Sequence, residues 1–318
     1  MTTPAIPARP SGPLDAVRVQ PESIWVPTVA EGKPSSPRQL AWHRFRRNRL
    51  AMTGLVLIII LTSIAILASV IAPYDPIRPD LHAFGKPPNT THLLGTDLSG
   101  RDVLTRLMYG GRVSLSVGIV AVSIYLTIGT ILGSISGYRR GLADAIIMRT
   151  TDMVMSFPAL IIILAVVPIL GPSIFNIMLV IGLLGWPAVA RLVRGEFLSL
   201  REREFTLAAR GIGASDRRII FRHILPNVAG PLVVLASFGI ADAIITEAGL
   251  SFLGLGVRPP DPSWGQMLNG AIDVGTIIEK PWVWIGPAIA IAITVLAINF
   301  IGDGLRDALD PRGALNRR

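Results

Sequence analysis

The chain is organised around the stretch GEFLSLREREFTLAARGIGASDRRIIFRHILPNVAGP, residues 195–231, which is a strongly basic polar segment between two long apolar runs. Apolar residues recur at helical spacing on both sides of Gly211-Ile212-Gly213, which predicts a helix, a break and a second helix. Pro226 is expected to stop the second helix. A polar elbow of this kind between two membrane spans is exposed outside the bilayer and available for contact with another molecule.

The composition is that of a membrane protein. Of the 318 residues, 51% are hydrophobic and only 16% are charged, and the mean hydropathy is +0.56, whereas a soluble domain carries about 25% charged residues. The net charge of +9 comes mainly from arginines placed beside apolar runs, which favours membrane orientation and anionic headgroups over nucleic acid. The absence of cysteine excludes disulfides, thiol redox chemistry and thiolate metal sites.

Hydrophobic runs predict about six transmembrane helices in an all-α polytopic protein, since roughly 20 apolar residues cross the hydrocarbon core. The third is expected to kink at Pro158 and Pro168. Arginines before the first run and after the fourth place both termini in the cytoplasm. The predicted spans are residues 50–72, 113–135, 153–170, 174–193, 229–250 and 282–301.

These spans divide the chain into four parts. Residues 1–40 form a proline-rich tail that is predicted to be disordered and cytoplasmic. Residues 41–72 hold the first transmembrane helix, and residues 73–112 form an extracytoplasmic loop. Within that loop, Thr96–Ser99 can cap a short amphipathic helix that ends at Gly110-Gly111. Residues 113–318 are the core of five transmembrane helices, including the loop 196–228.

No catalytic site is predicted. The sequence contains no P-loop motif, and none of its three lysines precedes a serine or threonine, so the chain is not expected to hydrolyse ATP. It also lacks a Ser/His/Asp or His-Glu-x-x-His pattern.

Three residues on the extracytoplasmic half are candidates for transport. Asp242 and Glu247 fall inside the fifth span, where a charge costs on the order of 3 kcal/mol. They either line a polar path for a charged or peptide-like solute, or pair with polar groups of neighbouring helices, or, for Glu247, lie near the outer interface. Trp264 follows a proline-rich loop and either contacts an external partner or gate, or anchors at the membrane interface.

The basic segment also has two interpretations. Arg217 and Arg218 could hold lipid headgroups, but headgroup binding needs neither a glycine break nor paired alanines. Ala208 and Ala209 allow close helix approach, and Gly213 permits a positive φ angle. These features favour docking into a groove on a partner protein. The apolar face expected to enter the groove consists of Ile219, Ile220, Ile224 and Leu225.

The segment resembles the cytoplasmic coupling loop of ABC importer permeases, whose pattern is Glu-Ala-Ala, three residues, Gly, nine residues, Ile-x-Leu-Pro. The matching residues are Ala208, Ala209, Gly213, Leu225 and Pro226. Leu207 stands where the family has glutamate, and His223 stands where it has isoleucine. Glu204, three residues before Leu207, is the candidate substitute for the missing carboxylate.

Other stretches resemble the C-type permeases of dipeptide and oligopeptide importers. They include residues 44–54 with the following span, Ala-Pro-Tyr-Asp-Pro at 72–76, Leu-Gly-Thr-Asp at 94–97, residues 247–264 and residues 299–311. Together they cover about residues 40 to 312, and residues 1–37 lie outside the resemblance. The order of these stretches is more specific than the coupling-loop pattern alone.

The resemblance implies the type I ABC importer permease fold in a bacterial cytoplasmic membrane. It implies a heterodimer with a homologous permease, two cytoplasmic ABC ATPase domains and an extracytoplasmic substrate-binding protein. ATP and Mg²⁺ would be bound by the ATPase subunits, and this chain would hold no cofactor. Peptides are the expected substrates. The alternatives are import of another small solute, such as a nickel complex or glutathione, a secondary transporter or channel without an ATPase, and a membrane scaffold.

Overall fold

The computed structural model describes residues 37–171 and 173–309 of the protein. This part of the chain consists of helices and connecting turns, without a named strand, so the all-α expectation is confirmed for it. Most of the predicted tail, 1–40, and the last residues of the predicted core lie outside the described residues.

The long helices account for the predicted spans. Four single helices and the continuous stretch Asp216–Phe252 are long and apolar enough to cross a membrane, and a bent helix pair makes six crossings if it counts as one span. The helices are α1 (Pro37–Arg47), α2 (Arg49–Ile66), α3 (Ala68–Ile71), α4 (Val103–Arg139), α5 (Gly141–Met155), α6 (Ala159–Leu170), α7 (Ile174–Leu200), α8 (Glu204–Gly211), α9 (Asp216–Arg218), α10 (Leu225–Phe252), α11 (Trp264–Asn269), α12 (Val274–Glu279) and α13 (Trp282–Leu309). A π-helical turn, Ile219–Ile224, joins α9 to α10.

The closest helix pair is α4 with α7. Gly129, Gly133 and Gly137 recur every four residues and form one stripe on α4. A methyl group added at Gly133 would lie 2.5 Å from the Ala190 carbonyl oxygen, and one at Gly137 would lie 2.6 Å from Cβ of Phe197. The two backbones therefore approach as closely as small residues permit, which is how helices associate in lipid.

On its other side α4 packs against α10, α10 packs against α13, and α13 packs against α2. A methyl group at Gly118 of α4 would lie 2.9 Å from Cγ2 of Ile240 on α10, and one at Gly302 of α13 would lie 3.1 Å from Cβ of Ser237. Gly54 of α2 lies against the Ala297 carbonyl of α13. The end of the bundle that carries the loop 196–228 is named the basic end, and the opposite end is named the far end.

The structure corrects the expected amphipathic helix of the loop 73–112. Helix α4 begins at Val103, is capped by Asp102 rather than by Thr96–Ser99, and runs through Gly110 and Gly111 without stopping. These glycines allow close packing, because methyl groups there would lie 3.2 Å from the Ser263 carbonyl carbon and 3.1 Å from the Trp264 ring. The predicted second span is thus the inner part of one 37-residue helix.

The third predicted span, 153–170, is not a single kinked helix. Helix α5 ends at Met155 and α6 begins at Ala159, with an angle of 82° between them. Pro158 lies at this break, as the sequence predicted, because proline cannot donate a backbone hydrogen bond and clashes with the preceding turn. Pro168 stays inside α6, and the helix ends before Gly171.

The glycine stripe can be tested by adding one methyl group. Gly133→Ala is expected to lower the melting temperature of the detergent-solubilised protein, because overpacking costs about 1–3 kcal/mol. Gly195→Ala is the matched control: Gly195 is also helical, in α7, and a methyl group there meets nothing within 4 Å. Equal melting temperatures for the two variants would contradict the close α4–α7 contact.

Candidate functional site

In the loop 196–228, one face of α8 is exposed at the protein surface and the other is buried. Thr206 and Ala209 point inward and are 0% and 6% exposed, and the Thr206 hydroxyl donates to the Leu200 carbonyl at 2.8 Å. Glu204, Leu207 and Ala208 lie on the opposite, exposed face. The two alanines of the sequence pattern therefore differ: Ala208 is available to a partner, whereas Ala209 packs into the protein core.

The break after α8 depends on Gly213. Its φ angle is +81°, and its N–H donates to the Arg210 carbonyl at 3.0 Å. A left-handed conformation of this kind is open to glycine and strained for other residues. Ser215 then caps α9 by accepting the Arg218 N–H. The sequence predicted this break correctly.

The structure corrects the expected role of Pro226. It lies in the first turn of α10, where the missing N–H leaves no helical bond unmade. The π-helical turn before it continues into α10 without a stop, and Leu225 begins that helix. The second arm of the loop is therefore the beginning of a membrane span.

The predicted docking face, Ile219 with Ile220, Ile224 and Leu225, is also wrong. Ile219 and Ile224 are 0% exposed and belong to the hydrophobic core. Residue type alone could not distinguish them from the apolar side chains that the loop does expose. The exposed apolar residues are Phe205, Leu207, Ile212 and Phe221, at 43%, 51%, 88% and 62% exposure.

Arginines surround these exposed apolar side chains. Arg203, Arg210, Arg217 and Arg218 are all exposed. Arg217 and Arg218 line a shallow depression with Ser215 and Phe221. Apolar patches rimmed by charge mark interaction surfaces. The loop surface around Ala208 is thus the candidate functional site.

Ion pairs join the helices beneath this surface. Arg194 of α7 donates to both oxygens of Asp144 on α5, at 2.5 and 2.7 Å, and the Ser136 hydroxyl of α4 donates to the same carboxylate. Bidentate, charge-assisted contacts are among the stronger polar interactions. Three helices therefore meet at one junction at the basic end.

The two intramembrane acids lie in different environments. Asp242 is exposed and makes no ion pair within residues 37–171 and 173–309. Glu247 is 0% exposed and accepts hydrogen bonds from Ser114 at 3.1 Å and Ser251 at 2.7 Å. Of the alternatives raised for Glu247, the structure supports pairing with polar groups inside the protein, namely Ser114 of α4 and Ser251 of its own helix.

Trp264 is buried, which corrects the predicted contact with an external partner and the predicted interface anchor, whereas the predicted role at a gate stays a prediction. It is 2% exposed, its ring N–H donates to the Leu107 carbonyl at 3.0 Å, and its backbone N–H donates to Ser114 at 3.3 Å. It can neither touch an external partner directly nor anchor at the interface. Through Ser114 it is joined to Glu247, so these two predicted residues belong to one packed region.

Arg106 is a residue that the sequence reasoning missed. It is 1% exposed, and its guanidinium donates to the carbonyls of Pro76 and Pro260 and to the side-chain oxygen of Gln266 at 2.8–3.0 Å. It ties the two far-end loops together. An arginine on the inward face of a predicted amphipathic helix was the available signal.

The chain matches the family described as binding-protein-dependent transport system inner membrane component over residues 129–314. Residues 36–88 match the N-terminal transmembrane domain of oligopeptide transport permease C. The first match contains the whole candidate site and Asp242. The second contains α1, α2 and α3.

Relatives share almost the full length. A Brucella suis biovar 1 protein named as a peptide permease is 46% identical over 282 residues, covering 89% of this chain and 93% of that protein. A glutathione transport system permease of Escherichia coli O6:K15:H31 is 44% identical over 288 residues, covering 90% of this chain and 94% of that protein. Its counterpart from Pectobacterium atrosepticum is 42% identical, covering 90% and 95%.

The conformation of the break can be tested with two glycines that lie two residues apart. Gly213→Ala is expected to speed tryptic cleavage at Arg210 and Arg217 in the purified protein, because a left-handed alanine costs about 1–2 kcal/mol. Gly211→Ala is the control, since Gly211 is helical and a methyl group there meets nothing within 4 Å. Identical cleavage rates in both variants would show that the left-handed glycine does not hold the loop.

Proposed function

Because the chain belongs to the family of binding-protein-dependent transport system inner membrane components, as an ABC importer permease of the peptide type, we propose that it forms half of the translocation path of an ATP-driven peptide importer. A homologous permease completes the path. Two cytoplasmic ATPase domains drive it, and an extracytoplasmic binding protein delivers the substrate.

The outward face of α8 carries this proposal. It exposes Leu207 and Ala208, with Ile212 just after the helix, beside arginines on a loop that leads directly into the span α10. A membrane protein has no need to expose this apolar surface to water unless a partner covers it. We assign the surface to an ATPase subunit, with Glu204 in place of the carboxylate that the family has at position 207.

ATP chemistry is assigned to the partner subunits. The sequence has no P-loop and only three lysines, so ATP and Mg²⁺ would be bound by the ATPases. Movement at the loop would then open and close the path by alternating access of rigid bodies.

The arginines support a cytoplasmic position for the basic end. Arg46 and Arg47 precede the first span, and Arg139 ends α4 and Arg140 follows it at the same end as the loop. By the positive-inside rule this end faces the cytoplasm. Both described chain ends lie there, since Gly304 packs against Ala51 and Phe45. We infer a multi-pass protein of the bacterial inner membrane with cytoplasmic termini.

Asp242 is the proposed path residue. It is an exposed carboxylate inside a long apolar helix, and a charge of this kind does not face lipid without a large cost. Water in a path, or the second permease, would cover it. Glu247 is left out of the path because its hydrogen bonds are made inside the protein.

Peptides are the proposed substrates, and the names of the Brucella relatives support them. Glutathione is the second candidate, because the Escherichia and Pectobacterium relatives are named as glutathione permeases. Both carry an ammonium group, a carboxylate and amide bonds, so one path could serve either. The choice between them rests with the binding protein that docks at the far end.

The docking surface is tested with neighbouring alanines. Ala208→Arg is expected to abolish ATP-driven uptake of labelled alanyl-alanine and of labelled glutathione and to reduce ATPase co-purification, without lowering the melting temperature, because Ala208 is exposed. Ala209→Arg is expected to lower the melting temperature, since Ala209 is 6% exposed. Normal uptake by the Ala208→Arg complex would overturn the docking assignment.

The path is tested with the two acids of α10. Asp242→Ala is expected to reduce uptake with an unchanged melting temperature. Glu247→Ala is expected to lower the melting temperature, because buried hydroxyls left without an acceptor cost about 1–3 kcal/mol. Full uptake by the Asp242→Ala complex would remove Asp242 from the path, and an unchanged melting temperature for Glu247→Ala would remove the structural role of Glu247.

A further inference from the structure

The end of α4 contacts both arms of the loop through one side chain. Tyr138 is 9% exposed and precedes the last residue of α4. Its hydroxyl donates to Oδ1 of Asp216 at 2.5 Å, and Asp216 is the first residue of α9. The side chain of Arg210, from α8, interacts with the same hydroxyl. Residues on either side of the Gly213 break therefore meet at this phenol.

A second set of contacts holds Tyr138 to the beginning of the loop. Nη1 of Arg201 donates to the Tyr138 carbonyl at 2.6 Å, and the guanidinium lies 5.9 Å from the centre of the tyrosine ring. Arg201 caps the end of α7. The tyrosine is thus held by the residue that enters the loop and by the residue that begins its second arm.

The neighbouring ion pair is a weaker connection. Arg140 donates to Glu202 at 2.5 Å, but the two side chains are 46% and 65% exposed. Exposed pairs of this kind contribute about 0–1 kcal/mol and are screened by salt. The hydrogen bond from Tyr138 to the Asp216 carboxylate is also charge-assisted, but its donor is a buried phenol, so only one of its two partners is open to solvent.

Movement at Tyr138 would reach the rest of the bundle through α4. The adjacent Gly137 lies against Phe197 of α7, and Ser136 donates to the Asp144–Arg194 pair. Gly118, further along α4, lies against Ile240 of α10. Close-packed helices move together rather than deforming.

Resting on the proposed function, we propose that the Tyr138 hydroxyl is a positioning group that transmits displacement of the coupling loop to α4. ATPase-driven motion of α8 and α9 reaches α10 along the chain. It reaches α7 along the chain as well, and it reaches α4 through the hydrogen bond from Tyr138 to Asp216. Without this bond the loop moves with its ATPase, while α4 lags behind.

The test uses the assembled transporter, with its second permease, ATPases and binding protein, in proteoliposomes. Uptake of labelled alanyl-alanine, uptake of labelled glutathione and ATP hydrolysis are measured in the same vesicles. Tyr138→Phe is expected to lower the uptake per ATP hydrolysed on the order of tenfold, within the usual range of coupling between sites. ATPase co-purification is expected to stay unchanged.

Two variants serve as controls for the lost hydroxyl. Tyr109→Phe makes the same change elsewhere on α4, at a hydroxyl without a hydrogen bond among the described residues, and is expected to keep the wild-type ratio. Glu202→Gln weakens the exposed pair and is also expected to keep it. A ratio that fell equally in Tyr109→Phe would overturn the specific role of Tyr138.

The hydrogen bond between Tyr138 and Asp216 can also be removed by substituting its acceptor. Asp216→Ala removes the acceptor at an exposed position, so it tests the proposal even if Tyr138→Phe fails to fold. The double variant, Tyr138→Phe with Asp216→Ala, is expected to show the same uptake per ATP hydrolysed as either single variant, because both substitutions remove the same hydrogen bond. The role of Tyr138 would be overturned, with the proposed function left standing, by either of two results in a complex whose wild-type uptake is normal. One is additive losses of uptake per ATP in the double variant, and the other is an unchanged uptake per ATP in Tyr138→Phe. Absence of ATP-driven uptake in the wild-type complex would instead overturn the proposed function.

Discussion

The close contact between α4 and α7 determines where the candidate functional site forms. Lipid tails are as apolar as leucine, so helices in a bilayer gain little from hiding apolar surface and associate through packing and hydrogen bonds. Gly129, Gly133 and Gly137 provide this packing along one stripe. Because the stripe fixes the register of the two helices, Ser136 and Tyr138 arrive beside Arg194 and Arg201 at the basic end.

The two ends of the bundle use charge differently. At the far end, Arg106 and Glu247 are buried and have their hydrogen bonds made within the protein, which holds the outer loops in place. At the basic end, most arginines of the loop are exposed and remain available for contact. The buried charges at the far end and the accessible arginines at the basic end fit the proposal that the subunit is moved from its basic end.

The sequence predicted the spans well because hydropathy and length are strong signals in a membrane. It also predicted the Gly213 break, since a positive φ angle selects glycine. It failed where burial decided the outcome. Gly110-Gly111 resembled a helix end but provides room for Trp264, and Ile219 and Ile224 resembled a docking face but fill the core. Local pattern does not reveal which apolar side chains a distant helix will cover.

Asp216 connects the loop to two membrane helices, because it begins the continuous helical stretch Asp216–Phe252 and also contacts α4. This stretch contains Asp242 and Glu247, so a displacement of α9 would be carried along one continuous helical segment to these residues. Asp216 also accepts the hydrogen bond from Tyr138, so the displacement would also reach α4. Since Gly118 and Ile240 leave little room between α4 and α10, the two helices are expected to tilt together. Asp242 would then change its surroundings without breaking the contacts of Glu247.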